Sequence, residues 1–501
     1  MNVRPRIVRD PIHEDIPLGP IQAAIVDTPI FQRLRYIKQN GLLHFVFPGA
    51  VHTRFSHSLG TFHLAGRAFN SLFENVSRSD PAALASKEFQ YIRQVFETAA
   101  LLHDCGHSAF SHSIEHVRID GKPFFPSVPE LASEWGSDNG LSRWLSGRIE
   151  AGELELAPYP SHEEFGLLLI GVLFDGHYAE KVTDTSAALL AVDPIDFADD
   201  IRSMIARSLT PSEVFKRCAV QVSNYIPGIE AVPEREQPKQ LQRALSTLIS
   251  GTVDVDRLDY LNRDSRFTGT LYGLCDVGVI INALELCVGE AGGPVLSVGL
   301  RKRACQAVDD FLWSRYQLFN QVLNHKTNVV LNALLADALK AAVEKPGLGI
   351  GRPLALEDFI SFTDEYVMSS VIDASLRDKH SSRRAYHQTL DGIELPRYLG
   401  RPDITEVDHA ERETLTDSRT QQFVERLRQA GVPDPKVRHW STESTLLKGT
   451  GLPFVLERDK IGGADYPPAP ASDPDTYQIP HWCESGRLPA SSTYLHFFTD
   501  R

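Results

Sequence analysis

Cysteine is scarce and scattered: six in 501 residues, at positions 105, 218, 275, 287, 305 and 483, with no CxxC pair. Neither a disulfide framework nor a cysteine-based zinc knuckle is indicated, and a reducing, cytoplasmic setting fits best. Long apolar runs are also missing. The longest, Phe165 to Phe174, is far too short to span a bilayer, and Met1-Asn2-Val3-Arg4-Pro5-Arg6 carries no apolar leader, so no membrane partner is expected. There is no excess of basic charge. Against 51 Lys and Arg stand 65 Asp and Glu, a net charge of -14, which argues against a surface that coats nucleic acid while leaving room for a local basic pocket. Repeats and long linkers are absent too. What is present is globular, since a 42% apolar share is ample for a folded interior, and the length exceeds one comfortable core.

The richest stretch is Leu101-Leu102-His103-Asp104-Cys105-Gly106-His107-Ser108-Ala109-Phe110-Ser111-His112. Upstream, Phe89, Ile92, Val95, Phe96, Ala99, Ala100 and Leu102 recur at helical spacing, which predicts a helix that delivers the His-Asp pair at its C-terminal end. Imidazole beside carboxylate is the ligand chemistry of a divalent Zn, Fe or Mn ion. Alone, such a pair is a weak signal. Other stretches supply company. Asp27-Thr28-Pro29 opens a short helix with Ile30, Phe31, Leu34 and Ile37 inward, and Arg54 to Gly60 leads into a helix with His57 in its first turn. An exposed loop is expected around Ser77 to Pro81. Ser161-His162-Glu163-Glu164 has the form of a capped helix start. From Asp254 onward, Asp256, Tyr260 and Asp264 are spaced i, i+4, i+8 and so share one helix face. A further long helix, or a pair, runs from about Ala304 to Lys345, with Arg315 and Lys326 flanking its apolar stripe, and Leu354 to Ala374 reads as helical.

Four separated elements thus each offer ligand-type residues near a helix end: His57, His103 with Asp104, and Asp256, supported by His107, His112 and His162. Imidazoles plus two carboxylates make an open site that leaves positions for water and a phosphate oxygen, which is the setting for metal-assisted phosphoryl chemistry. Arg54, Arg257, Arg315 and Lys326 are candidate phosphate cations.

At these residues the sequence resembles the HD-domain dNTP triphosphohydrolases, the branch that includes the sterile-alpha-motif/HD-domain dNTPase of animals and bacterial dGTPase-like relatives. The likeness is dense over residues 7 to 116, through Asp10-Pro11-Ile12-His13, Phe31-Gln32-Arg33-Leu34-Arg35, Phe47-Pro48-Gly49-Ala50 and Arg54-Phe55-Ser56-His57-Ser58-Leu59-Gly60. It resumes at Ser161-His162-Glu163, at Val253 to Asp264 and more loosely at Arg315 to Lys326. The resemblance implies metal ligands at His57, His103, Asp104 and Asp256. It implies His107, His112 and His162 around the α-phosphate, with His112 as general acid oriented by Glu115. Arg54 stands as the α-phosphate arginine and Arg257 where relatives usually carry a lysine for the outer phosphates. Gln39 and Asp264 match the holders of the sugar 3′-hydroxyl, and Tyr260 the aromatic that excludes a 2′-OH. The implied reaction splits a dNTP, accompanied by Mg2+, into deoxynucleoside and inorganic triphosphate.

The resemblance further implies a GTP or dNTP activator site at Arg6, Asp27, Gln32 and Arg35, and a homo-oligomer, tetrameric in relatives. Arg9 and Glu14 replace residues usually Asn and Gly, and Phe319 and Leu323 replace polar or aromatic pocket residues. No sterile-alpha-motif domain is expected, since the match begins almost at Met1.

Plainer roles compete residue by residue. His52, His63 and His116 read as surface or satisfied core histidines, and His13 as a loop hydrogen-bonder. Arg33 and Lys38 read as solvated or salt-bridged, Asp254 and Asp259 as caps that solubilise their helix, Lys326 as a surface lysine, and Trp135, Trp144 and Trp313 as packing anchors. The expected fold is mostly α: an HD-type helical core over residues 1 to 345, with an irregular insertion at about 124 to 160, and a smaller mixed α/β C-terminal subdomain over 346 to 501. Two other function classes stay open: an HD phosphohydrolase acting on cyclic dinucleotides, alarmones or single-stranded 3′ ends, and a nucleotide-sensing effector of antiphage defence.

Overall fold

The computed structural model describes residues 5–377 apart from 116, 120, 137–139, 158–159, 176–177, 291–292 and 344–349, together with 397–400, 403–404, 421–422, 424–425, 428–429, 437–445, 454–456 and 491–499. An antiparallel hairpin opens the chain, β1 (Arg6–Asp10) against β2 (Glu14–Leu18), with Asp10 facing Glu14 across the turn. Glu14 sits at φ 61, the left-handed region where the glycine of relatives would be unstrained. Then come α1 (Pro20–Val26) and α2 (Pro29–Gln32). Thr28 caps α2 by accepting the Phe31 amide, and Pro29 takes the first helical position, as the sequence predicts.

The centre is built from α3 (Arg54–Leu72) and, after the short α4 (Glu74–Ser79) and α5 (Pro81–Leu84), α6 (Lys87–Leu102). The loop expected around Ser77 is therefore helical up to Ser79. Buried Leu59, Leu64, Ala65 and Phe69 of α3 meet Ile92, Val95, Phe96 and Ala99 of α6. Each apolar side chain so covered contributes about 1.5–3 kcal/mol of transfer free energy. The one-turn α7 (His112–Glu115) follows the His-Asp loop, then a small hairpin, β3 (Arg118–Ile119) and β4 (Lys122–Pro123).

The stretch expected to be irregular, 124 to 160, instead holds two helices, α8 (Val128–Trp135) and α9 (Gly140–Glu150). A Ser127/Glu130 capping box and Pro129 start α8, and its buried Val128, Leu131, Ala132 and Trp135 form one face. The surrounding Pro, Gly and Ser mark the boundaries of these helices rather than their absence. The body continues with α10 (His162–Phe174), α11 (Glu180–Leu190), α12 (Pro194–Ile205), α13 (Glu213–Ser223), α14 (Gln237–Thr247), α15 (Val255–Thr268) and α16 (Val277–Ile281). An antiparallel pair, β5 (Leu284–Glu290) and β6 (Pro294–Arg301), precedes α17 (Cys305–Leu318). A π-helical turn, Phe319–Leu323, separates α17 from α18 (Lys326–Val343), so the pair anticipated over 304 to 345 is present. The helix expected after Leu354 is broken in two, α19 (Leu356–Ser361) and α20 (Asp364–Arg377).

Beyond residue 377 the described elements are strands β7 (Arg397–Gly400), β8 (Asp403–Ile404), β9 (Val437–Thr445), β10 (Phe454–Leu456) and β11 (Ser491–Thr499), with helical residues at 421–422, 424–425 and 428–429. β11 pairs antiparallel with β7, β8 and β9, while β10 runs parallel to β6 of the helical body. The fold is mostly α. Most of the anticipated C-terminal subdomain, including its proline-rich Pro467 to Pro474 stretch, lies outside the described residues, as does His116. Among the described residues no helix is long and apolar enough to cross a membrane, and none of the five described cysteines is in a disulfide.

Candidate metal centre and active site

Three helices converge. α3 brings His57 in its first turn, α6 ends at His103 with Asp104 following, and α15, capped by Asp254 through the Arg257 amide, brings Asp256 in its own first turn. His57 Nε2 lies 3.0 Å from Asp256 Oδ1 and 3.5 Å from Asp104 Oδ2, and His103 Nε2 lies 3.4 Å from Asp104 Oδ1 and 3.6 Å from Asp256 Oδ1. The four expected ligands are thus gathered at one point.

The fit to a cation rests on which imidazole nitrogens are engaged. His57 Nδ1 donates to Asp259 Oδ2 at 2.7 Å, and His103 Nδ1 donates to the Ala100 carbonyl at 2.8 Å. Those bonds engage both Nδ1 atoms and leave each Nε2 as the nitrogen that a cation can take in place of a proton. Both Nε2 atoms are buried and neither makes a hydrogen bond, though both face the carboxylates. This is how a metal-binding histidine is held, with its other nitrogen fixed by an oxygen. Electrostatics agree. Burial pulls the His57 imidazole down, but Asp256 and Asp259 outweigh it and lift it to about 10; Asp104 and Asp256 likewise raise His103 against burial. Burial opposes ionisation of Asp104, yet Arg54, His103 and His107 hold it well below the usual carboxylate range, and His103 and His57 do the same for Asp256. A pocket that attracts protons this strongly suits a divalent ion of Zn, Fe or Mn character.

A second cluster adjoins the first. His107 Nε2 is 3.4 Å from Asp104 Oδ1, and the His107 and His162 rings stack at 3.8 Å with an interplanar angle of 10°. Glu115 bonds two of the remaining histidines and lies near the third. His162 Nδ1 donates to its Oε1 at 3.0 Å and His112 Nδ1 to its Oε2 at 3.1 Å, while His107 Nδ1 lies 3.6 Å from Oε1. Burial opposes its charge, but His112 and His162 keep Glu115 well below the carboxylate range. Burial, Arg54 and His162 hold His107 well below an ordinary imidazole, so it is neutral. The Ser161/Glu164 capping box that the sequence predicts sets His162 at the first helical position of α10. Gly106 makes the approach of the loop to α10 tolerable, because a Cβ there would collide with the His162 carbonyl and the Gly166 amide.

Arg54 is buried, with Nη1 paired to Asp104, Nε donating to Ser111 Oγ at 3.1 Å and Nη2 to the Gln39 carbonyl at 3.3 Å. The Gln39 amide donates to the His52 carbonyl at 3.0 Å, and His52 Nε2 donates to Asp264 Oδ1 at 2.7 Å, which brings Gln39 and Asp264 to one side of the site. His52 is thus a core histidine bonded through Nε2 alone, and its Nδ1, like Gln39 Oε1, is buried without a hydrogen bond. The Tyr260 and His57 rings lie 6.5 Å apart. Arg257 is buried and paired with Asp254 at 3.2 Å, Arg315 is buried over the Phe319 ring, and Lys326 is exposed on α18. Arg6 pairs with Asp27 at 2.5 Å, and Arg35 Nε donates to Gln32 Oε1 at 2.8 Å while stacking over Phe55. These four form two adjoining polar pairs on the surface.

Several plainer readings need correction. Asp259 does not solubilise its helix: it is completely buried and bonded to His57, to His13 Nε2 at 2.6 Å and to Arg263 at 2.8 Å. Asp254 caps α15 as expected but is buried, not solvated. Arg33 is neither solvated nor salt-bridged; it is buried, donates to the Cys105 carbonyl at 2.6 Å and lies over Phe359. Trp313 is 40% exposed and stacks on Tyr316, so it anchors no core, whereas Trp135 is buried. The sequence did offer one signal for Asp259. It stands three residues after Asp256, on the same side of a helix as a ligand, and four before Arg263.

The comparisons with known proteins point the same way. Over 406 residues the chain is 26% identical to the chicken (Gallus gallus) protein named deoxynucleoside triphosphate triphosphohydrolase SAMHD1, covering 79% of this chain and 56% of that protein. Over 348 residues it is 28% identical to the human SAMHD1, covering 69% and 46%. These similarities are consistent with an HD-domain dNTPase-like family. An uncharacterized protein of the archaeon Methanocaldococcus jannaschii is also similar, 27% identical over 371 residues, covering 73% of this chain and 57% of that one. The chain spans about half the length of these curated relatives, and no protein-family profile matches it. The mostly helical architecture is that of an HD-type fold.

Proposed function

We propose that the chain is a metal-dependent triphosphohydrolase that converts deoxynucleoside triphosphates to deoxynucleoside and inorganic triphosphate. The observation that carries this reading is the pair of buried, unbonded Nε2 atoms of His57 and His103 facing the carboxylates of Asp104 and Asp256. A divalent ion held there supplies Lewis acidity and lowers the pKa of water toward neutrality. The chain's own residues do the rest. Arg54, already beside Asp104, neutralises an α-phosphate oxygen, and His107 and His162, stacked together, line the reacting phosphate. Glu115 accepts a hydrogen bond from Nδ1 of His112 and supports its imidazolium form, whose Nε2 proton goes to the 5′-oxygen as the bond from that oxygen to the α-phosphorus breaks. Such general acid catalysis is worth about 10²–10⁴ in rate. Arg257 and Arg315 take the outer phosphates with Mg2+, Gln39 and Asp264 hold the 3′-hydroxyl, and Tyr260 packs on the deoxyribose.

In this reading a GTP or dNTP activator binds at Arg6, Asp27, Gln32 and Arg35, the working form is a homo-oligomer, the compartment is cytoplasmic, and residues 346 to 501 form an accessory subdomain on the 1 to 345 core. Incubation of metal-loaded protein with each dNTP, alone and in pairs, is expected to release triphosphate. His103→Ala and Asp104→Ala are expected to abolish both turnover and metal retention. Release of only mono- or diphosphate, or an active variant, refutes the assignment.

A further inference from the structure

Behind His57 lies a group of buried charged side chains, Asp259, Arg263 and Asp10, to which the chemistry above gives no role. Asp259 accepts from His57 Nδ1, from His13 Nε2 and twice from Arg263, whose Nε and Nη2 stand 2.8 and 2.9 Å from its two oxygens. Arg263 also forks onto Asp10, at 2.8 and 3.2 Å. Asp10 in turn accepts the backbone amides of Ile12 and His13 at 2.9 and 3.0 Å, which fixes the turn between β1 and β2. All four side chains, Asp10, Asp259, Arg263 and His57, are buried. Gly60 leaves room for them, because a Cβ there would run into Asp259 Oδ1 and Arg263 Nη2.

We infer that Asp259 is a positioning residue for the metal ligand His57, and that Arg263 and Asp10 couple it to the β1–β2 hairpin, which carries Arg6. The inference rests on the metal reading of the site but not on the identity of the substrate. The Asp259 carboxylate makes Nδ1 the protonated nitrogen and Nε2 the donor, and it fixes the ring plane. Arg263 pins that carboxylate from behind with a planar fork that a lysine could not reproduce. A hairpin that shifts must therefore break the Asp10–Arg263 fork or drag Asp259 with it, and either change alters how tightly His57 can hold a cation. The coupling is reciprocal, so a bound cation steadies the hairpin.

The test is metal affinity by chelator competition on the full-length protein, with hydrogen exchange alongside. Asp259→Asn is expected to weaken metal binding about 10- to 100-fold, and Asp10→Asn, at the far end of the chain of charges, to weaken it in the same direction by less. Gly60→Ala, which pushes on Asp259 without removing it, provides a second route should Asp259→Asn fail to fold. Asp200→Asn is the control: that carboxylate is equally buried and bonded to Tyr91 and Ser212, so its loss is expected to lower the melting temperature and leave metal affinity unchanged. Metal loading is expected to slow exchange of the Ile12 and His13 amides. Wild-type metal affinity in both Asp259→Asn and Gly60→Ala overturns the positioning role. Unchanged affinity in Asp10→Asn, or exchange at Ile12 and His13 that ignores the metal, overturns the coupling. A protein that passes all of these and releases no triphosphate would refute the proposed substrate alone.

Discussion

Gly106→Ala isolates the contact between the two halves of the site. The loop after His103-Asp104 touches the first turn of α10 through Gly106, whose amide sits 3.7 Å from the position of a Gly166 Cβ, while a Cβ on Gly106 itself would overlap the His162 carbonyl and the Gly166 amide. Both obstacles are backbone inside a capped helix, so neither can swing aside. Overpacking of this kind costs about 1–3 kcal/mol, which in a body this large lowers the melting temperature by a few degrees. The consequence for chemistry is larger. His107, one residue on, stacks on His162 at 3.8 Å, and His162 is bonded to Glu115 while His107 lies 3.6 Å from it. Moving the loop away by about 1 Å separates them, and a displacement of that size in a catalytic constellation costs about 10²-fold in kcat. His103 and Asp104 precede the glycine and keep their places. The expected result is therefore a metal-loaded, folded protein with about a hundredth of wild-type turnover, read by metal analysis, melting and steady-state release of triphosphate. Wild-type turnover and melting in Gly106→Ala would refute the reasoning.

Three other perturbations give distinct readouts. Glu115→Gln removes the charge that gathers His107, His112 and His162, so kcat is expected to fall about 10²-fold or more with metal content intact; a variant with wild-type kcat contradicts the role. Without metal, His57 is lifted from 6.5 to about 10, so its pairing stabilises the fold fully below about pH 6.5 and that contribution is lost as pH rises through about 10. A cation must displace that proton, so affinity is expected to rise with pH and calorimetry in buffers of different ionisation heat to show proton release at pH 7; binding without proton release contradicts it. Gly147→Ala, on the exposed face of α9 with open space around it, is expected to stabilise by about 0.5–1 kcal/mol, measured by the denaturant midpoint, and a destabilised variant would contradict the helical assignment of the 124 to 160 region.

The parts of the site that were legible in the sequence are those with local rules. His57 in a first turn, His103 at a helix end, His162 behind a Ser161 cap and Asp256 in a first turn all follow from capping chemistry and apolar period, and the structure places each where that chemistry puts it. What escaped depends on long-range contacts. Asp259 looked like a solubilising acid because nothing nearby in the chain says that His13, 246 residues earlier, and His57, 202 residues earlier, fold onto it. Arg33 reads as a surface cation until Phe359 and the Cys105 carbonyl close over it. The helices α8 and α9 were hidden by turn-forming residues at their ends, although Ser127 and Glu130 spelled out a capping box. Asp364 is similar: only the fold reveals that it accepts the Phe110 amide at 2.7 Å and the Lys38 amide at 3.0 Å, steadying a loop in which Phe110 and Ser111 adopt left-handed φ of 55° and 52°.

Turnover in water enriched in heavy oxygen tests the central claim most directly. Metal-loaded protein is given one dNTP, and the two products are separated and weighed. Attack on the α-phosphorus predicts one heavy oxygen in the inorganic triphosphate and none in the deoxynucleoside. Label on the sugar 5′-hydroxyl, or in a mono- or diphosphate, would contradict it.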